Sequence, residues 1–94
     1  MKKIILVCNG GMSTAMLAKR MKDASTEELD VHAYGEAEFM QHVEGASVIL
    51  VGPQIRYRIA DFQAETDIPV VGISPQRYGI MDGKGVLEDI KKYL

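Results

Sequence analysis

The chain has 94 residues, of which 47% are hydrophobic and 26% charged, and its formal net charge is −2. This length supports one compact domain with a modest core, and we expect a single domain over residues 1–94. The slight acidic balance argues against a general nucleic-acid-binding protein, and no apolar stretch reaches the roughly eighteen residues of a membrane span. The one cysteine can form neither an internal disulfide nor a cysteine cage for a metal. In the cytoplasm, where we expect this protein, Cys8 is therefore either an inert core thiol or a nucleophile.

The first apolar run leads directly into a glycine-bearing loop. Residues 4–7 predict a buried strand that ends at Cys8. The glycines at 10–11 permit a tight turn and a close approach to an anion, and Ser13 or Thr14 can cap the helix that follows. The free N–H groups at the start of that helix favour both a thiolate and a bound dianion. This segment therefore predicts a phosphoryl-binding site beside a nucleophile.

The rest of the chain alternates helices and strands. After the first strand we predict a helix over 15–24, a strand over 30–35, a helix over 36–43, a strand over 47–51, a helix over 55–66, a strand over 69–73, a loop over 74–83 and a final helix. Helical spacing places the following apolar residues on the sheet side: Met16, Leu17 and Met21, then Ala37, Met40 and Val43, then Ile59 and Phe62, and finally Val86, Leu87 and Ile90. This alternation predicts a three-layer α/β domain, with a four-stranded parallel sheet in the order 2-1-3-4 and helices on both faces.

In such a sheet the ligand crevice opens at the carboxyl ends of the strands, here between the first and third strands. We expect Cys8 to meet there with Gln54, which follows Gly52-Pro53, and with Tyr78 and Asp82 of the long loop. Each candidate also has a purely structural interpretation. Cys8 can be a buried core thiol, Gln54 can satisfy a loop carbonyl, Tyr78 can cover the sheet edge and Asp82 can cap the last helix.

The two histidines lie in a predicted strand and a predicted helix. Neither His32 nor His42 has cysteines or carboxylates at metal-ligand spacing around it. We therefore expect no metal site.

Three segments carry a resemblance to a known family. They are 4–14 with its pattern CxxGMST, 51–55, and the late stretch of 78–79 followed by 82–87. The chain resembles the enzyme IIB components of the bacterial phosphoenolpyruvate-dependent sugar phosphotransferase system, in the lactose, cellobiose and chitobiose family. The resemblance covers nearly the whole chain, and the first motif is its most specific part. It implies one IIB-type domain over residues 1–94.

The family resemblance implies a phosphocysteine intermediate on Cys8. A phosphohistidine on the IIA protein would supply the phosphoryl group, and a sugar entering through the membrane permease IIC would receive it. A β-linked disaccharide such as cellobiose, chitobiose or lactose is the expected cargo. The implied phosphate-binding loop consists of Asn9, Gly10, Gly11, Met12, Ser13 and Thr14.

The same resemblance implies a protein-Nπ-phosphohistidine–sugar phosphotransferase that needs no metal or organic cofactor. We expect a cytoplasmic monomer that IIC recruits to the inner face of the membrane. IIA should dock around Cys8, and an exposed apolar centre with a polar rim suits a transient partner. The candidate contacts are Met12, Gln54, Ile55 and Tyr78.

Two alternatives remain open at the level of sequence. Low-molecular-weight tyrosine phosphatases and related arsenate reductases have a cysteine loop after the first strand of a similar sheet, but they place an arginine six positions beyond the cysteine. Here that position is Thr14, and the nearest arginine is Arg20. Asp82 could correspond to the acid that such phosphatases carry on a late loop. The other alternative is a non-catalytic anion-binding or interaction module in which Cys8 is incidental.

Overall fold

Four short apolar segments form a parallel sheet at the centre of the protein. The computed structural model describes residues 1–8 and 12–94, apart from the side chain of Met12. The strands are β1 (Lys2–Cys8), β2 (Leu29–Gly35), β3 (Val48–Val51) and β4 (Val70–Gly72). Their order is β2-β1-β3-β4 and every pairing is parallel, which confirms the predicted sheet.

The helices and tighter helical turns cover both faces of this sheet. The α-helices are α1 (Met12–Ala24), α2 (Ile59–Gln63), α3 (Pro75–Gly79) and α4 (Gly83–Asp89). Within the described residues, 3-10 segments accompany them at Phe39–His42, Pro53–Arg58 and Lys91–Tyr93. The chain thus forms the three layers that the alternating pattern predicts.

The core divides into two clusters because successive strand residues point to opposite faces. In β1, Ile4 and Leu6 pack under α1 and α4, together with Leu17 and Val86. Ile5 and Val7 instead join a second cluster on the other face. The second cluster also contains Phe39, Ile49, Val51, Ile55, Phe62 and Val70. Central burial on both faces accounts for the unbroken apolar run of β1.

The elements that cover the second face differ from the prediction. The predicted helix over 36–43 is wrong: a turn precedes the 3-10 segment Phe39–His42, and Ala37 is exposed. Phe39 is the side chain that enters the core, because its ring packs edge-on against Phe62 at 4.7 Å between centroids. Apolar spacing alone did not identify this contact.

The predicted helix over 55–66 is also only partly correct. The segment is a 3-10 helix over Pro53–Arg58 that kinks at Ile55, where φ is −124° and ψ is 24°, before α2 begins. The kink accompanies burial of the Ile55 side chain, which is 1% exposed. Short segments bent toward the sheet therefore replace one regular helix.

Helix α1 covers the first face, with one error in the predicted inward residues. Leu17 and Met21 are fully buried as predicted, but Met16 is 51% exposed. Ala18 is buried instead. The apolar face of α1 therefore runs through Leu17, Ala18 and Met21 rather than through Met16.

The predicted loop over 74–83 contains helix α3, which is fixed to α4 by charged and capping contacts. Ser74 caps α3 by accepting from the Arg77 N–H, and Pro75 follows at the first helical position, a typical helix start. Asp82 caps α4 by accepting from the Gly85 N–H at 2.9 Å. Arg77 donates to Asp82 at 2.9 Å and to Asp89 at 3.2 Å. The capping interpretation of Asp82 is thus realised.

We predict that this junction weakens in acid through Asp82. The hydrogen bond from the Gly85 N–H lowers the pKa of Asp82 most, and the hydrogen bond from Arg77 lowers it further. Desolvation acts in the opposite direction but is outweighed, so the pKa of Asp82 lies below its usual value. Its charge therefore contributes stability above the unfolded pKa of about 3.9, and the contribution is lost as pH falls through the lower folded value. Asp82→Asn keeps a capping oxygen but removes the charge. Urea unfolding at neutral pH should find this variant less stable than wild type, and the difference should narrow as pH falls through the lowered folded pKa of Asp82.

Asp67→Asn is the matched control for the loss of one carboxylate, because Asp67 is exposed. At neutral pH, Asp67→Asn should change the free energy of unfolding less than Asp82→Asn does. An Asp82→Asn difference that stayed constant from neutral to acid would contradict the assigned role of the charge.

Close packing of α4 on α1 generates a second prediction. A methyl group on Gly83 would lie 2.5 Å from the Arg20 carbonyl carbon and 2.6 Å from the Met21 nitrogen. Backbone atoms cannot move aside as a side-chain end can, so Gly83→Ala should lower the free energy of unfolding by about 1–3 kcal/mol. Gly79→Ala is the control, since its methyl group meets no atom within 4 Å. Equal urea stabilities of the two variants would refute the packing argument.

Candidate functional site

Cys8 lies at the carboxyl end of the central strand, 5% exposed. In the parallel register it is opposite Gly35 of β2, while its neighbour Val7 is opposite Val51 of β3. The Gly52 N–H donates to the Val7 carbonyl at 2.8 Å and extends the pairing past the end of β3. The thiol is therefore held where three strands end side by side.

Glycine at position 52 lets the chain pass close to the thiol. A methyl group there would be 3.5 Å from the Cys8 sulfur and 3.1 Å from the side-chain oxygen of Gln54. Gln54 itself is exposed and lies beside this glycine. The predicted approach of the Gly52-Pro53-Gln54 segment to the cysteine is thus present, with Gly52 nearer to the sulfur.

Tyr78 reaches the same thiol from helix α3. Its hydroxyl lies 3.8 Å from the Cys8 sulfur and 3.4 Å from the Thr14 hydroxyl. Thr14 belongs to the first turn of α1 and is 1% exposed. One phenol therefore connects the end of β1, the start of α1 and α3.

A cavity of about 270 Å³ opens next to Cys8. Its lining combines the end of β1, the first turn of α1 and the end of β2: Cys8, Thr14, Ala15, Ala33, Tyr34, Gly35 and Glu38. The cavity lies on the β2 side of the cysteine, whereas we expected a crevice on the β3 side. Gly52 lies against the sulfur on that other side.

Tyr34 and Glu38 are cavity residues that the sequence analysis missed. The signal was available, because β2 neighbours β1 in the predicted parallel order and its following turn must reach the same sheet edge. His42 stacks on Tyr34 with ring centroids 4.1 Å apart, which fixes the tyrosine ring from outside. The cavity therefore has one acidic group and one anchored phenol on its β2 side.

The remaining predicted site residues are distributed as follows. Ser13 is exposed on α1, and Asp82 is engaged at the start of α4 with Gly85 and Arg77. Ile55 is buried in the second cluster, so its predicted role as an exposed docking contact is wrong. Asn9, Gly10, Gly11 and the side chain of Met12 lie outside the described residues.

The site has a clear electrostatic orientation. Helix α1 runs for 13 residues from Met12, so its positive amino-terminal end lies at the edge of the sheet where Cys8 ends β1. That end favours a thiolate or a phosphoryl group nearby, whereas the carboxylate of Glu38 opposes negative charge in the same cavity. Anionic chemistry at Cys8 is therefore supported from the α1 side.

A second cavity, of about 370 Å³, lies at the opposite end of the sheet, near Lys2, Leu29 and Leu94. No group of three or more His, Cys, Asp or Glu side chains within 1–8 and 12–94 could hold a metal ion. His32 pairs with Asp30 instead. Among the helices that the structure describes, none is both long and apolar enough to cross a membrane.

Comparison with protein families and curated proteins gives consistent matches. Residues 3–89 match the family model described as PTS system, Lactose/Cellobiose specific IIB subunit. The oligo-beta-mannoside-specific EIIB component of Bacillus subtilis is 36% identical over 94 residues, covering 94% of this chain and 91% of the relative. The galactose-specific EIIB component of Lactococcus lactis is 31% identical, covering 92% and 90% respectively.

Solved structures share the same fold. The lactose-specific IIB domain of Streptococcus pneumoniae superposes with a TM-score of 0.84 at 14% identity, covering 98% of this chain and 96% of that one. The cellobiose-specific IIB protein of Borrelia burgdorferi gives a TM-score of 0.76 at 30% identity, with coverages of 98% and 90%. From the family match, the curated relatives and the fold, we conclude that the chain belongs to the lactose/cellobiose-specific IIB family of the sugar phosphotransferase system.

Proposed function

We propose that this IIB protein carries a phosphoryl group on Cys8 between a IIA phosphohistidine and a sugar. The observation that carries the proposal is the position of the thiol, at the carboxyl end of the central strand and beside the first turn of α1. The strand fixes the direction from which the sulfur can attack a phosphoryl group. The amino terminus of α1 nearby favours the anionic form of the sulfur. Family membership supplies the phosphotransferase context.

The first transfer uses the thiolate as the nucleophile. Its sulfur attacks the phosphorus of the IIA phosphohistidine, so that an S–P bond forms while the N–P bond breaks and the imidazole nitrogen keeps the electron pair. Residues 9–14 bind the transferred group through backbone N–H groups and the Ser13 hydroxyl, while the Thr14 hydroxyl lies against Tyr78. Their contribution is positioning and charge stabilisation, and we propose that no metal or organic cofactor takes part.

The second transfer reverses the role of the sulfur. A sugar hydroxyl, presented by IIC, attacks the phosphorus and releases its proton to solvent. The O–P bond forms, the S–P bond breaks, and the sulfur leaves as a thiolate. Cys8 is thereby restored for the next cycle.

The threonine at position 14 favours the carrier proposal over the phosphatase alternative. Thr14 occupies the position where phosphatases of similar fold have an arginine, and its buried hydroxyl lies beside Tyr78. Arg20, the nearest arginine in the sequence, is exposed on α1, and its backbone packs against Gly83. No bidentate guanidinium clamp is therefore provided by either position.

The sugar proposal rests on the relatives. The names of the relatives and of the Borrelia burgdorferi structure specify oligo-beta-mannoside, galactose and cellobiose. We propose a β-linked disaccharide as the cargo of this chain. The permease IIC would hold that sugar, while this protein presents only the phosphoryl group. We propose a cytoplasmic monomer that reaches the inner membrane face through IIC.

Intact-protein mass spectrometry tests the carrier role. Wild type is incubated with phosphoenolpyruvate, the general phosphotransferase proteins and a IIA of this family, and it should gain the mass of one phosphoryl group. Cys8→Ser should gain none, because a serine hydroxyl is not ionised at neutral pH and is a far weaker nucleophile than a thiolate.

A wild type that stays unmodified, or a phosphoryl group that persists in Cys8→Ser, would refute the proposal. Hydrolysis of an aryl phosphate then tests the phosphatase alternative. Cys8→Ser serves in both assays as the matched variant that lacks only the thiol.

A further inference from the structure

The hydroxyl of Tyr78 lies between two side chains of the proposed phosphoryl site. It is 3.8 Å from the Cys8 sulfur and 3.4 Å from the Thr14 hydroxyl, and these residues are 70 and 64 positions away in the sequence. Thr14 is the one buried polar side chain in the described part of the chain, at 1% exposure. Buried hydroxyls need a hydrogen-bond partner, and Tyr78 provides one.

The position of this phenol is fixed by the structure around it. The Tyr78 ring packs against the first core cluster. Its N–H donates to the Ser74 carbonyl at 3.0 Å, and its carbonyl accepts from the Met81 N–H at 3.1 Å. The preceding residue, Arg77, is held by Asp82 and Asp89. The hydroxyl is therefore held in place before any phosphoryl group arrives.

We propose that Tyr78 donates its O–H to the sulfur of Cys8 and stabilises the thiolate in both transfers, while Thr14 donates to the phenol oxygen. A thiolate can only accept, so the phenol must be the donor to sulfur and its oxygen is left to accept from Thr14. The inference rests on the proposed function and assigns a role at the same site.

The role has a defined place in the chemistry. In the first transfer, the hydrogen bond raises the share of Cys8 that is ionised and able to attack. In the second, the S–P bond breaks and its electron pair moves to sulfur, where the same O–H receives the developing negative charge. A preorganised donor of this kind stabilises charge without reorganising during the reaction.

Other ionisable groups lie around the sulfur, and one of them provides a variant with the opposite expected effect. Tyr34 of β2 and Glu38 of the following turn line the cavity with Cys8. The Glu38 carboxylate disfavours a second negative charge nearby, so its removal should act in the opposite direction to removal of the Tyr78 hydroxyl.

The test compares the ratio of thiolate to thiol in Tyr78→Phe and wild type at one pH. The thiolate is detected by its far-ultraviolet absorbance. For wild type and for each variant, the spectrum of the same protein with the additional change Cys8→Ala is subtracted, so that only the signal of Cys8 remains. Loss of one hydrogen bond to a charged group should lower the ratio about tenfold. Glu38→Gln should raise it, and Tyr57→Phe, which alters a side chain 74% exposed, should leave it unchanged. An unchanged ratio in Tyr78→Phe overturns the proposal.

A second measurement on the unsubstituted ring guards against a misfolded variant. Tyrosine labelled with ¹³C at Cζ reports the state of the phenol. The Tyr78 signal should shift over the pH range in which the Cys8 absorbance shows ionisation, and this shift should vanish in Cys8→Ala. A Tyr78 signal that ignores the ionisation of Cys8 overturns the proposal.

The outcome is separable from that of the carrier role because the thiolate measurement needs no phosphoryl donor. If wild type accepts a phosphoryl group but Tyr78→Phe ionises like wild type, only the role of Tyr78 is overturned. If Tyr78→Phe shifts the ratio and wild type accepts nothing, the carrier role fails. Support for both requires the shifted ratio, together with about tenfold slower release of the phosphoryl group to sugar in Tyr78→Phe.

Discussion

Burial of β1 on both faces is the constraint on which the rest of the structure depends. Ile4 and Leu6 face one core cluster, and Ile5 and Val7 face the other. Full burial of such a side chain contributes about 1.5–3 kcal/mol, so the strand cannot shift register without losing both clusters. Cys8 continues this strand at its carboxyl end. The Cys8 thiol therefore takes its position from a strand that is buried on both faces.

The second requirement is that a distant segment returns to the thiol. Helix α3 does so with only five residues, too few for a stable isolated helix. Its shape depends on the Ser74 cap and on the contacts of Arg77 with Asp82 and Asp89. These charged contacts act together with packing of the Tyr78 ring on the first core cluster to hold the Tyr78 hydroxyl near Cys8. Asp82, which caps α4, and Tyr78, which reaches Cys8, are therefore connected through Arg77.

The sequence predicts the sheet better than its covering layers. Continuous apolar runs identify the strands, and the order inferred from their alternation with helices is the observed order β2-β1-β3-β4. The second face was mispredicted because Phe39 and Ile55 enter the core from 3-10 segments, whose period differs from that of an α-helix. Met16 was misassigned because an apolar residue at helical spacing need not face the sheet. At the site, Cys8 is evident from local pattern, whereas Glu38 follows only from the spatial neighbourhood of β2.

The side chains described around the sulfur suit a carrier because their donors are neutral. Tyr78 and Thr14 offer hydroxyls, and Glu38, whose carboxylate lines the cavity with Cys8, opposes additional negative charge there. A guanidinium clamp would bind phosphoryl oxygens more strongly, by bidentate, charge-assisted hydrogen bonds. A carrier instead has to accept its cargo from one partner and release it to another, so very tight binding of the group would slow its release. In the proposed mechanism, the Tyr78 hydroxyl would stabilise the thiolate at both transfers without binding the phosphoryl group as tightly as a guanidinium would.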